Sequence, residues 1–373
     1  KKLLIEIKSQ HPKTVDIFDP TEIYCGDDLG ICGPTRNGRP LYAYTDHISD
    51  YAAGLVGREL NNYLMKNIMN RQNAFTLLAT FALLFCFTFS CNAKGKDKAK
   101  HVVLIGLDGW GAYSLPKADM PNVKKLMEDG AYTLKKRSAL PSSSAINWAS
   151  MFMGAGPELH GYTEWGSKTP ELPSRVLNKN GIFPTIFQLL RDARPKAEIG
   201  CLYEWNGIKY LVDTLSLSYH YHVADYNKTP KELGNMASAY IKEKHPTLVA
   251  ICYDSPDHTG HTEGHDTPAY YEKLKELDTY VGQIVQAVKD AGILDDTIFI
   301  LTSDHGGIKK GHGGKTMQEM ETAFIISGKN IKKGLRFDDV SMMQYDVAST
   351  IARIFHLEQP QVWIGRPMEI VFK

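Results

Sequence analysis

The chain has 373 residues, a formal net charge of +1 and 43% hydrophobic residues, and it begins on Lys1. Near-zero charge removes the electrostatic case for nucleic acid as a main partner, while length and apolar content allow two or three domains or one large α/β domain. The six cysteines (Cys25, Cys32, Cys86, Cys91, Cys201 and Cys252) show no C-x-x-C pair and no zinc-finger spacing, so thiolates are not the expected metal ligands.

Residues 1–64 mix polar and apolar positions. Within them Cys25-Gly-Asp-Asp-Leu-Gly-Ile-Cys32, Gly38-Arg-Pro-Leu-Tyr42 and Thr45-Asp46-His47-Ile48-Ser49 resemble the end of an SGNH-type hydrolase domain attached to membrane acyltransferases. In that family an Asp/His pair serves a Ser-His-Asp site. The serine-bearing block is missing here, and Tyr44 stands where the Asp three positions before the His is usual, so Asp46 and His47 are expected to carry no chemistry. Cys25 and Cys32 could form a disulfide in an oxidising compartment.

Residues 65–91 follow the order of a secretory signal peptide: a basic start from Met65 to Arg71, then an uncharged apolar run from Ala74 to Ser90. Cys91 after Thr88-Phe89-Ser90 resembles a bacterial lipoprotein cleavage site, with Phe89 a departure from the usual small residue. The alternative is an uncleaved membrane anchor, for which the run is slightly short. Either way the region beyond is expected outside the cytoplasm, in a bacterial periplasm or cell envelope and held at the membrane. A signal in mid-chain further suggests that Met65 is the true start, with 1–64 the tail of another reading frame or an artefact. Residues 92–100 are a lysine-rich, solvated linker.

Beyond the linker, apolar runs alternate with amphipathic stretches. Strands are expected at 101–107, 197–203, 248–253, 297–302 and 322–327. Helices are expected at 121–129, 146–153, 184–194, 231–244, 267–291 (ended by Gly292) and 345–355. This alternation predicts an α/β fold: a mostly parallel central sheet with helices on both faces. Sites in such sheets form at the carboxyl ends of strands, and the unusual residues fall there. His101–Leu107 ends in Asp108-Gly109. Leu140-Pro-Ser-Ser-Ser144 enters a helix with Asn147 one turn in. Leu248–Tyr253 ends in Asp254-Ser-Pro-Asp257-His-Thr-Gly-His261. Thr297–Thr302 ends in Ser303-Asp304-His305-Gly-Gly, followed by Gly311-His312-Gly-Gly. Asp and His together suit zinc or a similar ion. Taken singly, each has a plainer reading: Asp108 as a turn residue, Asp304-His305 and His312 as loop residues, Ser144 as a helix cap.

Together, and in this order, the blocks resemble the alkaline phosphatase superfamily, most closely its type I phosphodiesterase/nucleotide pyrophosphatase branch, over nearly all of 101–373. The resemblance implies an alkaline phosphatase-like fold and two divalent metal ions, most simply zinc. Asp257, His261 and His312 would hold one. Asp108, Asp304 and His305 would hold the other, with Ser144 as nucleophile bridging toward it and Asn147 hydrogen-bonding a phosphoryl oxygen. The family's usual Thr nucleophile is Ser144 here, and its Pro before the Asn is Ile146. The implied reaction is hydrolysis of a phosphodiester or nucleotide pyrophosphate, a small phosphoester substrate, through a phosphoserine. Charge supports the site: two divalent ions balance three carboxylates plus an ionised Ser144, and the serine's place at a helix N-terminus adds free N–H groups and the positive dipole end. No Arg stands beside Ser144, which favours diesters over a phosphomonoesterase or phosphonate hydrolase. A sulfatase would need an activation motif where this chain has Ala145-Ile146-Asn147. A non-catalytic lipoprotein keeping the fold is the remaining alternative. Asp254, His258, His265 and Lys315 match no ligand and are expected beside the site or on the surface; Trp148, Tyr162 and Trp165 could line a pocket for a base or ring, although aromatics near a helix are more often core.

Overall fold

In the computed structural model, residues 99–224 and 229–373 are described, together with four short strand segments between residues 35 and 48. The chain divides into two compact units, Lys1–Asn92 and Ala93–Lys373. In the first, Thr35–Arg36 pairs antiparallel with Arg39–Pro40, and Tyr42–Tyr44 with His47–Ile48. The apolar segment 65–91, the paired-cysteine region and linker residues 92–98 lie outside the described residues. Among the described residues no helix is long and apolar enough to cross a membrane.

The second unit is built on one sheet. Its strands are β1 (His101–Leu107), β2 (Gly130–Arg137), β3 (Ile199–Tyr203), β4 (Tyr219–His222), β5 (Leu248–Tyr253), β6 (Thr297–Thr302), β7 (Glu321–Gly328) and β8 (Leu335–Arg336). They lie in the order β8-β2-β7-β6-β1-β5-β3-β4. Neighbours from β6 through β4 are parallel, as are β8 and β2, while β7 runs antiparallel to both β6 and β2. The sheet is thus mostly parallel, as alternating strands and helices predict.

The fully buried strands read as continuous apolar runs because both faces are covered. On β1, Val102 and Leu104 join one core and Val103, Ile105 and Leu107 the other, as a two-residue side-chain period requires. The first core is closed by α2 (Ser144–Met153), α4 (Ile186–Ala193) and α9 (Asp346–Phe355), the second by α1 (Pro121–Glu128), α5 (Thr229–Lys244) and α7 (Pro268–Asp290). Short helices α3 (Pro157–His160), α6 (Asp257–Glu263) and α8 (Met317–Met320) lie in the connections. The α7 start is held by Thr267, whose hydroxyl accepts from Tyr270 N–H, a side-chain cap on an orphan donor.

Three features depart from expectation. Gly130–Arg137 is a strand although it ends in three cations. Asp257–Glu263 is a helix although every residue in it is polar or glycine. Helix α2 begins at Ser144, two residues earlier than its apolar pattern, and no side-chain cap is made at its start.

Candidate active site

Strands β6, β1 and β5 lie side by side and parallel, with Thr302 opposite Gly106 and Leu107 opposite Tyr253. Their carboxyl ends therefore deliver Asp304, Asp108 and the Asp254–Asp257 turn to one edge of the sheet. The turn is tied down by Asp257 N–H donating to the Asp108 carbonyl at 3.0 Å. Two glycines make the approach possible. A Cβ on Gly109, at φ +69°, would lie 2.5 Å from the Asp257 carboxylate, and one on Gly106 would lie 2.2 Å from the Trp148 ring. Trp148 spends that space by donating Nε1–H to Asp108 Oδ2 at 3.0 Å.

His305 Nε2 is the hub of one half of the site. It lies 3.1 Å from Ser144 Oγ, 3.2 Å from Asp304 Oδ2 and 3.4 Å from Asp108 Oδ1. Asp257 Oδ2 is the hub of the other, 3.0 Å from His261 Nε2 and 3.6 Å from His312 Nε2, and these two nitrogens face each other at 3.2 Å. The opposite ring nitrogens settle the tautomers. Nδ1–H of His261, His305 and His312 points at the carbonyls of Lys310, Gly306 and Ser142, at 3.0, 2.8 and 3.0 Å. A carbonyl only accepts, so each neutral ring turns its Nε2 lone pair inward. Outer hydrogen bonds of this kind orient metal-binding imidazoles.

The carboxylates show the matching deficit. Asp108 Oδ1, Asp257 Oδ1 and Asp304 Oδ2 are buried without a hydrogen-bond partner. Burial and the neighbouring Asp304 and Asp257 charges push Asp108 well above the usual carboxylate range; burial and Asp257 push Asp304 up to about 7. Asp257 goes the other way: burial opposes its charge, but the surrounding imidazoles of His261, His265, His305 and His312 together hold it below the usual carboxylate range. Inward-facing imidazole lone pairs and crowded, unpartnered carboxylate oxygens form a donor set that fits divalent cations. Donor atoms of Asp257, His261 and His312 all lie within 4.8 Å of one another, as do those of Asp108, Asp257 and His305. The second grouping has Asp257 where the resemblance implied Asp304, which touches the set through His305.

Ser144, 9% exposed, opens on a cleft of about 230 Å³ whose walls include Trp165, Trp205, Asp254 and His258 as well as Asp257, His261 and His312. Asn147 does not face it. Its Oδ1 accepts from Ala139 N–H at 2.7 Å, and its Nδ2 donors point at the carbonyls of Ala139, Pro141 and Ser143 at 3.0–3.1 Å. All its polar capacity is spent on the loop before Ser144, so the phosphoryl contact expected of Asn147 is not available in this arrangement. The free N–H groups expected at the start of α2 are reduced as well, because Ala145 N–H donates to the Trp165 carbonyl at 3.1 Å.

Other residues border the site: His265 was expected beside it or on the surface, whereas Lys136 and Gln344 were not singled out by the sequence. His265 is buried with Nε2 3.4 Å from Asp257 Oδ1. Lys136, fully buried, donates from Nζ to the Ser303 carbonyl at 2.8 Å and to Gln344 Oε1. Gln344 Nε2 in turn donates to the carbonyls of Asn147 and Ser303 at 3.2 and 3.3 Å, joining α2 to the end of β6. Burial brings the Lys136 ammonium down to about 7. Trp165 is 69% exposed at the cleft mouth, not in the core, whereas Trp148 and Tyr162 are buried as expected.

Residues 102–329, more than half of the chain, match the family model for type I phosphodiesterase / nucleotide pyrophosphatase. The chain belongs to this family. Among curated relatives of this phosphodiesterase-family chain, bis(5'-adenosyl)-triphosphatase enpp4 of Mus musculus is 26% identical over 221 residues, covering 56% of this chain and 48% of the relative. Its Xenopus laevis counterpart is 24% identical over 240 residues, covering 60% and 51%. The chain thus spans about half the length of these relatives. Among solved structures, an inactive variant of murine ectonucleotide pyrophosphatase/phosphodiesterase 5 in complex with AMP superposes with a TM-score of 0.58 at 16% identity, covering 70% of this chain and 96% of the other. A 2-O GAG sulfatase does so at 0.61 and 14%, covering 73% of each. These likenesses establish the shared alkaline phosphatase-like fold.

Proposed function

We propose that this domain hydrolyses phosphodiester or nucleotide pyrophosphate bonds through a phosphoserine on Ser144. One observation carries the reading: two His/Asp donor sets, each with inward-facing lone pairs, converge beside a single hydroxyl at the start of a helix. Asp257, His261 and His312 would hold one divalent ion, and Asp108, Asp304 and His305 with Ser144 the other, zinc being suited to imidazole and carboxylate together. When bound, the ions supply positive charge that lowers the pKa of a hydroxyl and stabilises both attacking and leaving oxygens of an in-line displacement.

The chain's own residues do the positioning. Trp148 and Gly109 N–H fix the Asp108 and Asp304 carboxylates, and Asn147 clamps the loop that presents Ser144. Ser144 Oγ attacks phosphorus, the bond to the leaving alcohol or nucleotide breaks, and water then cleaves the phosphoserine. Phosphoryl transfer asks mainly for such positioning and charge. Neither Lys nor Arg is among the cleft-lining residues, which supports diesters over phosphomonoesters, whose additional negative charge calls for a further cation. The completeness of the donor sets supports an enzyme over a retired site. The signal-like order of residues 65–91 supports a location outside the cytoplasm.

The test is hydrolysis by the zinc-supplied full chain of bis(p-nitrophenyl) phosphate against p-nitrophenyl phosphate, with and without chelator, alongside Ser144→Ala. Faster monoester turnover overturns the diester preference. Activity that survives the chelator or the substitution overturns the mechanism.

A further inference from the structure

Lys136 and Gln344 lie wholly inside the protein at the end of β2. Their backbones are fixed there: Gln344 N–H donates to the Arg137 carbonyl at 2.8 Å, and Arg137 N–H to the Met342 carbonyl at 3.0 Å. Both acceptors of Lys136 Nζ, the Ser303 carbonyl and Gln344 Oε1, are neutral oxygens. A buried ion costs stability that an apolar side chain of similar size does not, so packing alone does not account for this lysine. Its contacts lead to the reacting centre. The carbonyls of Ser303, Asp304 and His305 are each held by side chains: the first by Lys136 and Gln344, the second by Ser138 Oγ at 2.7 Å, the third by Ser303 Oγ at 2.7 Å. From the first of these the bonds continue into α2. Lys136 turns Gln344 Oε1 toward itself, which leaves Nε2 to donate to the Asn147 carbonyl at 3.2 Å, one turn beyond Ser144. The two segments joined by this bridge are those that bring Ser144 Oγ within 3.1 Å of His305 Nε2.

We propose that Lys136 and Gln344 are positioning residues that hold the first turn of α2 and the exit of β6 at the spacing from which Ser144 attacks. The inference rests on the phosphodiesterase reading and deepens it. Neither residue lines the cleft, so the pair acts through Ser303 and Asn147.

The zinc-supplied full chain is compared with Gln344→Glu and with the double variant Lys136→Met/Gln344→Leu. The glutamate still accepts from Lys136, but when ionised beside the ammonium it has no hydrogen for the Asn147 and Ser303 carbonyls. The double variant replaces the ion and its partner with an apolar pair, a change that buried ion sites often tolerate. In both, kcat on bis(p-nitrophenyl) phosphate is expected to fall about 100-fold, the scale of a misplacement of about 1 Å, while KM stays within about twofold. Thermal unfolding checks that each variant is folded at the assay temperature. A folded variant that keeps its kcat, or loses efficiency through KM alone, overturns the proposal. If both variants unfold, the pair is structural and the proposal falls. Orthovanadate, which mimics the phosphoryl transition state, gives a readout without turnover: its calorimetric affinity should drop about as far as kcat/KM. Unchanged vanadate affinity in Gln344→Glu overturns the proposal. If the unsubstituted chain binds vanadate but cleaves no diester, the phosphodiesterase reading fails and the vanadate affinities alone decide the bridge. If it does neither, both fall.

Discussion

His265 Nε2 stands 3.4 Å from Asp257 Oδ1, with its side chain wholly buried between Gly260, Gly307 and Tyr270. Neither glycine could carry a Cβ without meeting the ring, at 2.3 Å in both cases. The imidazole thus backs the oxygen of Asp257 that faces away from His261, and leaves Oδ2 to the centre. His265→Ala should weaken zinc binding about 10- to 100-fold, the usual effect of removing an outer partner, and His265→Gln should recover part of it. Calorimetric zinc titration reads both. Unchanged affinity in His265→Ala would show that the ring only fills space.

Asn147→Ala removes the partner of Ala139 N–H and of three carbonyls in a fully buried place. A loss of about 3 kcal/mol in unfolding free energy is expected, since each buried group left unpaired costs about 1–3 kcal/mol. Urea unfolding measures it. A variant of full stability, defective only in turnover, would return Asn147 to contact with substrate.

Gly106→Ala places a methyl inside the Trp148 ring, which is 1% exposed and has no room to retreat. Overpacking of this kind costs about 1–3 kcal/mol, and the Trp148–Asp108 hydrogen bond should break with it. Both a lowered Tm and a reduced zinc stoichiometry are expected. A normal Tm would mean the strand and helix can separate freely.

Removal of metal should act on stability as well as on turnover. Ions that bind the folded chain alone stabilise it by about 2.7 kcal/mol at a hundredfold excess over Kd. Dialysis against a chelator should lower the Tm and abolish diester hydrolysis, with zinc restoring both. A Tm indifferent to chelator and zinc would contradict the dimetal site.

His160 gives the acid limb of stability. Its Nδ1 accepts from Tyr162 N–H at 3.1 Å, so the proton sits on Nε2 and is donated to Ser150 Oγ at 3.0 Å. Burial holds the ring down at about 3, against 6.5 unfolded. Between these values the unfolded chain binds the extra proton, so the residue's contribution is complete above pH 6.5 and is lost as pH falls toward 3. At pH 5 the loss is about 2 kcal/mol. Denaturant unfolding at pH 7.5 and 5 should show a smaller drop for His160→Gln than for the unsubstituted chain; equal drops would place the ring's titration elsewhere.

Strand ends were legible where apolar runs stop abruptly: β1, β5 and β6 lie where their Ile, Val and Leu runs predict, and Asp108, Asp257, Asp304 and His305 follow from them. Strand β2 was not legible. Lys136 is tolerated inside because Ser303 and Gln344, far away in sequence, accept its hydrogens. Spacing likewise could not decide between a surface His265 and one buried next to Asp257, or between a core Trp165 and one at a cleft mouth, since burial and exposure are properties of neighbours and leave no periodic mark.

By itself, then, the order of residues determined which chemistry-bearing side chains end which strands, because hydrophobic periodicity is a local property. Tertiary structure alone decided which oxygen and nitrogen atoms face one another. It turned each Nε2 inward through a distant carbonyl, spent Asn147 on its own loop, and left two indoles and a carboxylate beside Ser144. Those outcomes depend on strand register and on hydrogen-bond partners well separated along the chain, which no spacing records.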